Sequence, residues 1–248
     1  MPYWLAGGQY PIMYLPDRIE KTETGEDKLI TKAYNNLDAN GKWGGYDCCG
    51  LAFSSWRETV AEMIGISVAE VTKVIFPLMN QKGLVESITK GELPFFEIVA
   101  DDYADRIDKS KLMPGDMIVV DIIGELWVED PKTKKNIFKE DFNKTIFEHI
   151  ITYIGKGFSK ELEDVKKQKG KLYVQDNPDI IHTTGTVVSG AFGSPDARLG
   201  AENFVAACNL MKYENSFREM GLQLNYIIIR TNWEAVKEYY YKEKGIKR

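Results

Sequence analysis

Histidine and cysteine are both scarce in this chain: His149 and His182 on one side, Cys48, Cys49 and Cys208 on the other, in 248 residues. Three cysteines, two of them adjacent, cannot build a disulfide framework. With no Cys-x-x-Cys spacing, a four-ligand structural zinc has nothing to start from, and no metal or other cofactor is expected. No apolar run approaches the ~20 residues that a membrane-crossing helix needs. The first fifteen residues are apolar and aromatic, but they carry Gly7-Gly8 and lack a basic start. They do not read as a secretory signal, so the expectation is a cytoplasmic protein or an exported form without its signal. Basic charge is not in excess either. Lys and Arg number 32 against 37 Asp and Glu, a net charge of -5. A general basic field for nucleic acid is therefore excluded. The 44% of hydrophobic residues is enough to bury a core in one large domain.

The chain pattern divides into helices first and strands later, which predicts an α+β fold. Residues 1–27, with Pro2, Gly7, Gly8, Pro11 and Pro16, read as an irregular N-terminal arm, and residues 28–248 as the folded domain. A helix is expected over 28–38. Asp47 suits the N-cap of a second helix from Cys48 to about Met63, closed by Gly65. Ser67 caps a third, Val68 to Asn80. Residues 83–112 read as a mixed, helical surface region. From Asp116 to Ile123 the run is strongly β-prone. A long connection or hairpin fills 124–146, and the strand His149–Gly155 follows. Both its faces are apolar, so it should lie inside a sheet. The stretch 156–172 is a charged insert, expected as an exposed helix or irregular tip with a solvated face. A strand ending at His182, a helix over 202–219, a strand over 222–230 and a helix over 233–242 complete the pattern.

A thiol becomes a good nucleophile only when ionised, and the unpaired N–H groups at a helix start favour the thiolate. Cys48 directly follows the candidate cap Asp47. Successive helix residues differ by about 100° in direction, so only one of Cys48 and Cys49 can face the histidines, and Cys49 is expected in the core. Taken singly, each of these residues has a plainer explanation: a cysteine as a small apolar core residue, a histidine as a hydrogen-bonded core or rim residue. Together they offer a nucleophile, a base and an orienting group. In that arrangement His149 takes the thiol proton, and His182 accepts a hydrogen bond from its other ring nitrogen. Both histidines are then expected to face Cys48.

Four segments in this order resemble the NlpC (NlpC/p-sixty) family of cell-wall cysteine peptidases, in the papain-like group. Asp47-Cys48-Cys49-Gly50-Leu51 is similar to its Asp-Cys-Ser-Gly-Leu nucleophile motif. Leu112-Met113-Pro114-Gly115-Asp116 matches Leu-x-Pro-Gly-Asp before a strand. His149-Ile-Ile-Thr-Tyr153-Ile154-Gly155 is similar to His-Val-Gly-Ile-Tyr-Ile-Gly, and Ile181-His182 to a strand ending Ile-His. The closing strand with Arg230 fits the domain's end. The resemblance covers about residues 30–230. It implies a papain-like NlpC fold, with a nucleophile-bearing helix packed on a central antiparallel β-sheet. Insertions are then expected near 66–111 and 156–178. It also implies Cys48 as nucleophile, His149 as base and His182 as the third polar group. Substrate contacts fall to Trp43, Tyr46, Asp47 and Cys49. The expected reaction is hydrolysis of amide bonds in peptidoglycan stem peptides, of the D-glutamyl-diaminopimelate or -lysine type. Two departures stand out. Cys49 replaces the usual serine, and Gly41 stands where a Tyr-x-Trp-Gly-Gly tyrosine would fall. The alternatives are a papain-like amidase or acyltransferase acting on another amide or ester, and a binding protein of the same fold.

Overall fold

The computed structural model describes residues 18–21, 27–30, 48–77, 79–102, 107–129, 134–144, 149–158, 160–162, 172–184 and 204–246. Trp43, Tyr46 and Asp47 lie outside them, as do the N-terminal aromatic residues and most of the charged insert. Strands β1 (Arg18–Lys21) and β2 (Asp27–Ile30) form a separate antiparallel pair. They correct two expectations, because 18–21 is not irregular and 27–30 is not helical.

Helix α1 (Cys48–Ile64) follows. Its buried stripe of Cys48, Ala52, Phe53, Trp56, Val60 and Ala61 recurs at helical spacing. Gly65 ends it with a φ of 80°, a left-handed conformation that glycine adopts without a Cβ penalty. Ser67 caps α2 (Val68–Val74) as expected, its hydroxyl accepting from the Glu70 N–H at 3.1 Å. The helix stops six residues earlier than the apolar pattern suggests, because Pro77 disfavours a helical residue before it and clashes with the turn behind. Asn80 then caps a separate helix, α3 (Gln81–Thr89). Buried Arg57 ties this break to α1, with Nε donating to the Phe76 carbonyl at 3.1 Å and Nη2 to that of Pro77 at 3.0 Å.

Strand β3 (Phe96–Asp102) comes next, then β4 (Met117–Ile123), β5 (Glu125–Glu129) and β6 (Asn136–Asp141). The chain continues through β7 (His149–Tyr153), β8 (Leu172–Val174), β9 (Ile180–Thr184) and β10 (Phe204–Cys208). Helix α4 (Leu210–Glu219), β11 (Gln223–Thr231) and α5 (Trp233–Glu243) close it. The main sheet has the order β3-β11-β4-β7-β9-β10-β8. Six strands pair antiparallel, and β8 adds to the edge parallel to β10. β7 is the middle strand, as its two apolar faces predict. The hairpin reading of 124–146 also holds, since β5 pairs with β6.

Three sequence expectations change. Residues 96–102 form an edge strand rather than part of a helical region, because pairing with β11 overrides weak local preference. Phe204–Cys208 is a strand, and helix begins only after Asn209, which accepts from the Lys212 N–H. The run Phe-Val-Ala-Ala-Cys is apolar throughout, a pattern that periodicity alone cannot assign. The segment 156–178 is not wholly an outward tip, since it carries β8, and His182 is followed by two more strand residues.

The sheet buries both faces. On one, Met117, Val119, Ile150, Ile227 and Ile229 pack with α1, α2, α3 and α5. On the other, Ile118, Val120, Ile151, Tyr153, Ile180, Ala206 and Tyr226 pack with α4. The architecture is thus α+β with helices on both faces of a largely antiparallel sheet.

Candidate active site

The two histidines meet. They are 33 residues apart in the chain, yet His149 Nε2 and His182 Nδ1 form a buried hydrogen bond of 3.0 Å. The register explains how. His149 pairs with Val120 of β4, and His182 with Ala206 of β10. β7 and β9 are neighbours, but their ladder is confined to Thr152–Ile181 and Tyr153–Ile180. Beyond it, the two rings bridge the strands edge to face, with centroids 5.1 Å apart and planes at 84°. A ring nitrogen of one must donate and the other accept, so the bond couples the tautomers of both rings. Burial first, and the His182 charge second, hold His149 well below its ordinary value of 6.5. His149 is therefore a neutral imidazole at neutral pH, and the same burial makes it a weaker base than an exposed histidine.

Cys48 opens α1, and α1 packs against both β7 and β9. Cys48 is 6% exposed and belongs to the α1 side of the core. This reverses one expectation. Cys49 is the half-buried member of the pair, and its thiol donates to Gln81 Oε1 of α3 at 2.7 Å. The α1 stripe that reaches the sheet runs through positions 48, 52 and 56, which turns position 49 toward α3. Cys208 lies on the opposite side of the sheet. Burial, and then the Asp179 charge, push its thiol up to about 12, so it is inert as a nucleophile.

Strand alternation corrects a second expectation. His149, Ile151 and Tyr153 share one face, and His182 shares it with Ile180. That face lies beneath α4, whereas the α1 stripe covers the opposite one. Both rings therefore sit on the α4 side of the sheet. Among the described residues no hydrogen bond joins the Cys48 sulfur to either ring.

Residues around the pair were less visible in the sequence. Tyr213 of α4 lies against both rings, with centroids 6.5 Å from His149 and 5.5 Å from His182. Asp179 is buried, accepts from the Leu210 N–H at 2.6 Å and pairs with Lys109 at 2.7 Å. It anchors the start of α4 to the start of β9. The turn at 112–116 is locked by Asp116. Its carboxylate accepts from Arg230 Nε at 2.9 Å and Nη2 at 2.7 Å, and from the Met113 N–H at 2.7 Å. Among the described residues no group of three or more His, Cys, Asp and Glu could hold a metal ion.

The fold and site define an α+β domain with a buried imidazole pair on the central strands and a cysteine-headed helix packed against them. Comparison with protein-family models, curated proteins and solved structures returns no match for the chain.

Proposed function

We propose that the chain is a thiol hydrolase of amide bonds, with Cys48 as nucleophile, His149 as base and His182 as orienting group. The observation that carries this reading is the buried 3.0 Å bond between His149 Nε2 and His182 Nδ1. Its strands are the ones against which the Cys48 helix packs. In this reading His149 donates its Nε2 proton to His182 and takes the thiol proton on Nδ1. In the described structure Cys48 and the two rings lie on opposite faces of the sheet, so this reading requires a rearrangement at the start of α1 that brings the thiol to Nδ1. The thiolate attacks the amide carbonyl carbon, and the oxyanion is held by N–H groups of the first turn of α1, which lack intrahelical partners. Collapse breaks the C–N bond, and the amine leaves with the proton from His149. Water then gives a proton to His149 and its hydroxide to the thioester carbon, releasing the acid and the thiol.

The substrate is the peptide stem of peptidoglycan. This finer assignment rests on the order of the four sequence motifs, and Asp116 and Arg230 support it by closing the second motif onto the last strand. The test is product analysis of digested peptidoglycan. A new amino and carboxyl end within the stem, lost in Cys48→Ala, is expected. Hydrolysis of a different amide or ester, with intact stems, would move the assignment to the amidase or acyltransferase class.

One observation favours a second reading, in which the histidine pair only braces the core: both rings lie on the α4 face. In that case iodoacetamide should modify Cys48 no faster in wild type than in His149→Gln.

A further inference from the structure

The imidazole pair has a third aromatic neighbour that belongs to none of the four motifs. Tyr213 is 1% exposed. Its ring lies nearly parallel to His149, at 18°, and meets His182 edge-on, at 82°. One ring thus touches both members of the pair in the two geometries that aromatic groups prefer. On β10 the residue paired with His182 is Ala206, whose methyl group offers no ring face. The helix is itself fixed at two points. Asp179 Oδ1 accepts from the Leu210 N–H at 2.6 Å, and Glu214 Oε1 accepts from the Ile107 N–H at 2.9 Å. Phe217, one turn on, backs the Tyr213 ring at 5.0 Å.

We propose that Tyr213 is a positioning residue that fixes the planes of His149 and His182, so that their ring-to-ring hydrogen bond persists and both tautomers stay single. Its catalytic meaning rests on the thiol-hydrolase reading, but its effect on the rings does not. Without the stacked face His149 can rotate about χ2, the bond to His182 breaks, and Nδ1 loses its direction.

The experiment is ring-nitrogen NMR on the full chain with 15N-labelled histidine, where two histidines give an uncrowded spectrum. Wild type should show one tautomer per ring and a ring N–H that exchanges slowly with water. Tyr213→Phe keeps the ring and should keep that spectrum. Tyr213→Met keeps apolar volume but no face, and should give averaged shifts and exchange up to about tenfold faster. Tyr213→Leu serves the same purpose should the methionine variant fail to fold. Ile122→Ala, in the same core but beyond the Met117–Val120 segment that pairs with β7, is the control for general loosening and should leave the ring signals in place. An unchanged spectrum in Tyr213→Met, or an equal change in Ile122→Ala, overturns the proposal. In the same variants kcat should fall in Tyr213→Met and not in Tyr213→Phe, with KM little changed. Absence of any hydrolysis by wild type would sink the hydrolase reading while the spectra still decide the role of Tyr213.

Discussion

At the scale of single residues, burial raises the Cys208 thiol and sets the state of one imidazole. Cys208, pushed up to about 12, should stay unmodified by iodoacetamide at pH 7.5 in the folded protein. On the thiol-hydrolase reading Cys48 should be the site of the adduct, located by peptide mass spectrometry, even though Cys49 is the more open thiol. Cys49→Ser should keep most of the activity, because a hydroxyl can donate to Gln81 as the thiol does. Adduct on Cys49 alone would reverse the assignment. His149 carries a pH dependence whose sign can be worked out. Its folded value is far below 6.5 because burial penalises the cation. In the unfolded chain it titrates near 6.5, so below that pH the unfolded state binds a proton that the folded state refuses. Stability from this group is thus complete above about pH 6.5 and falls as the pH drops, by at most ~1.4 kcal/mol per unit. Urea midpoints at pH 7.5, 6.0 and 5.0 should show the fall, and His149→Gln should shrink it. An equal slope in that variant would mean that another group carries it.

At the scale of elements, the second and third motifs turn out to be parts of one joint. The Gly115 N–H donates to the Tyr153 carbonyl at 2.8 Å, and the Tyr153 N–H donates to the Asp116 carbonyl at 2.9 Å. The resemblance pairs these motifs only by order, whereas the ladder pairs them in space. Gly155 has a φ of 75°, and a Cβ there would lie 3.0 Å from Pro114 Cγ. Gly155→Ala should therefore cost about 1–2 kcal/mol from the left-handed backbone alone. Asp116→Ala strips acceptors from Arg230 and the Met113 N–H at once and should cost about 3–5 kcal/mol, measured by urea unfolding. A cost below ~1 kcal/mol would mean that water replaces the carboxylate. The elements legible in the sequence share a physical property. α1, β4, β7, β11 and α5 each carry a long apolar stripe or run, and α1 has a clear end signal in Gly65. Those misread are less plain. The apolar spacing of α2 runs past Pro77, β10 is a five-residue run without periodicity, and β3 depends on its partner β11. Such pairing is set by tertiary contact, which no local pattern records.

At the scale of the whole molecule, the convergence of the only two histidines was legible because scarcity left few combinations, and β7 was recognisably central. The face they occupy was not, since a strand buried on both sides gives no sign of which side meets which helix. Nor was α4 as their cover, because Tyr213 is set there by a helix start at Asn209 that the sequence pattern placed several residues earlier. The same arrangement bears on substrate choice. The described core supplies the pair and the cysteine helix, while Trp43, Tyr46 and Asp47 belong to the segment that leads into α1. In the resemblance to the NlpC family, Gly41 stands where a tyrosine would grip the amino end of a trimmed stem. The expected outcome is an enzyme that does not require that free amino end, so intact peptidoglycan should be cut at least as readily as free stem tripeptides and tetrapeptides beginning with L-alanine. The comparison is made by quantifying released amino groups at matched stem concentration, in wild type and in Tyr46→Phe. Strict preference for the free peptides, lost in Tyr46→Phe, would show instead that the Tyr46 hydroxyl has taken over the missing contact five residues further along the chain.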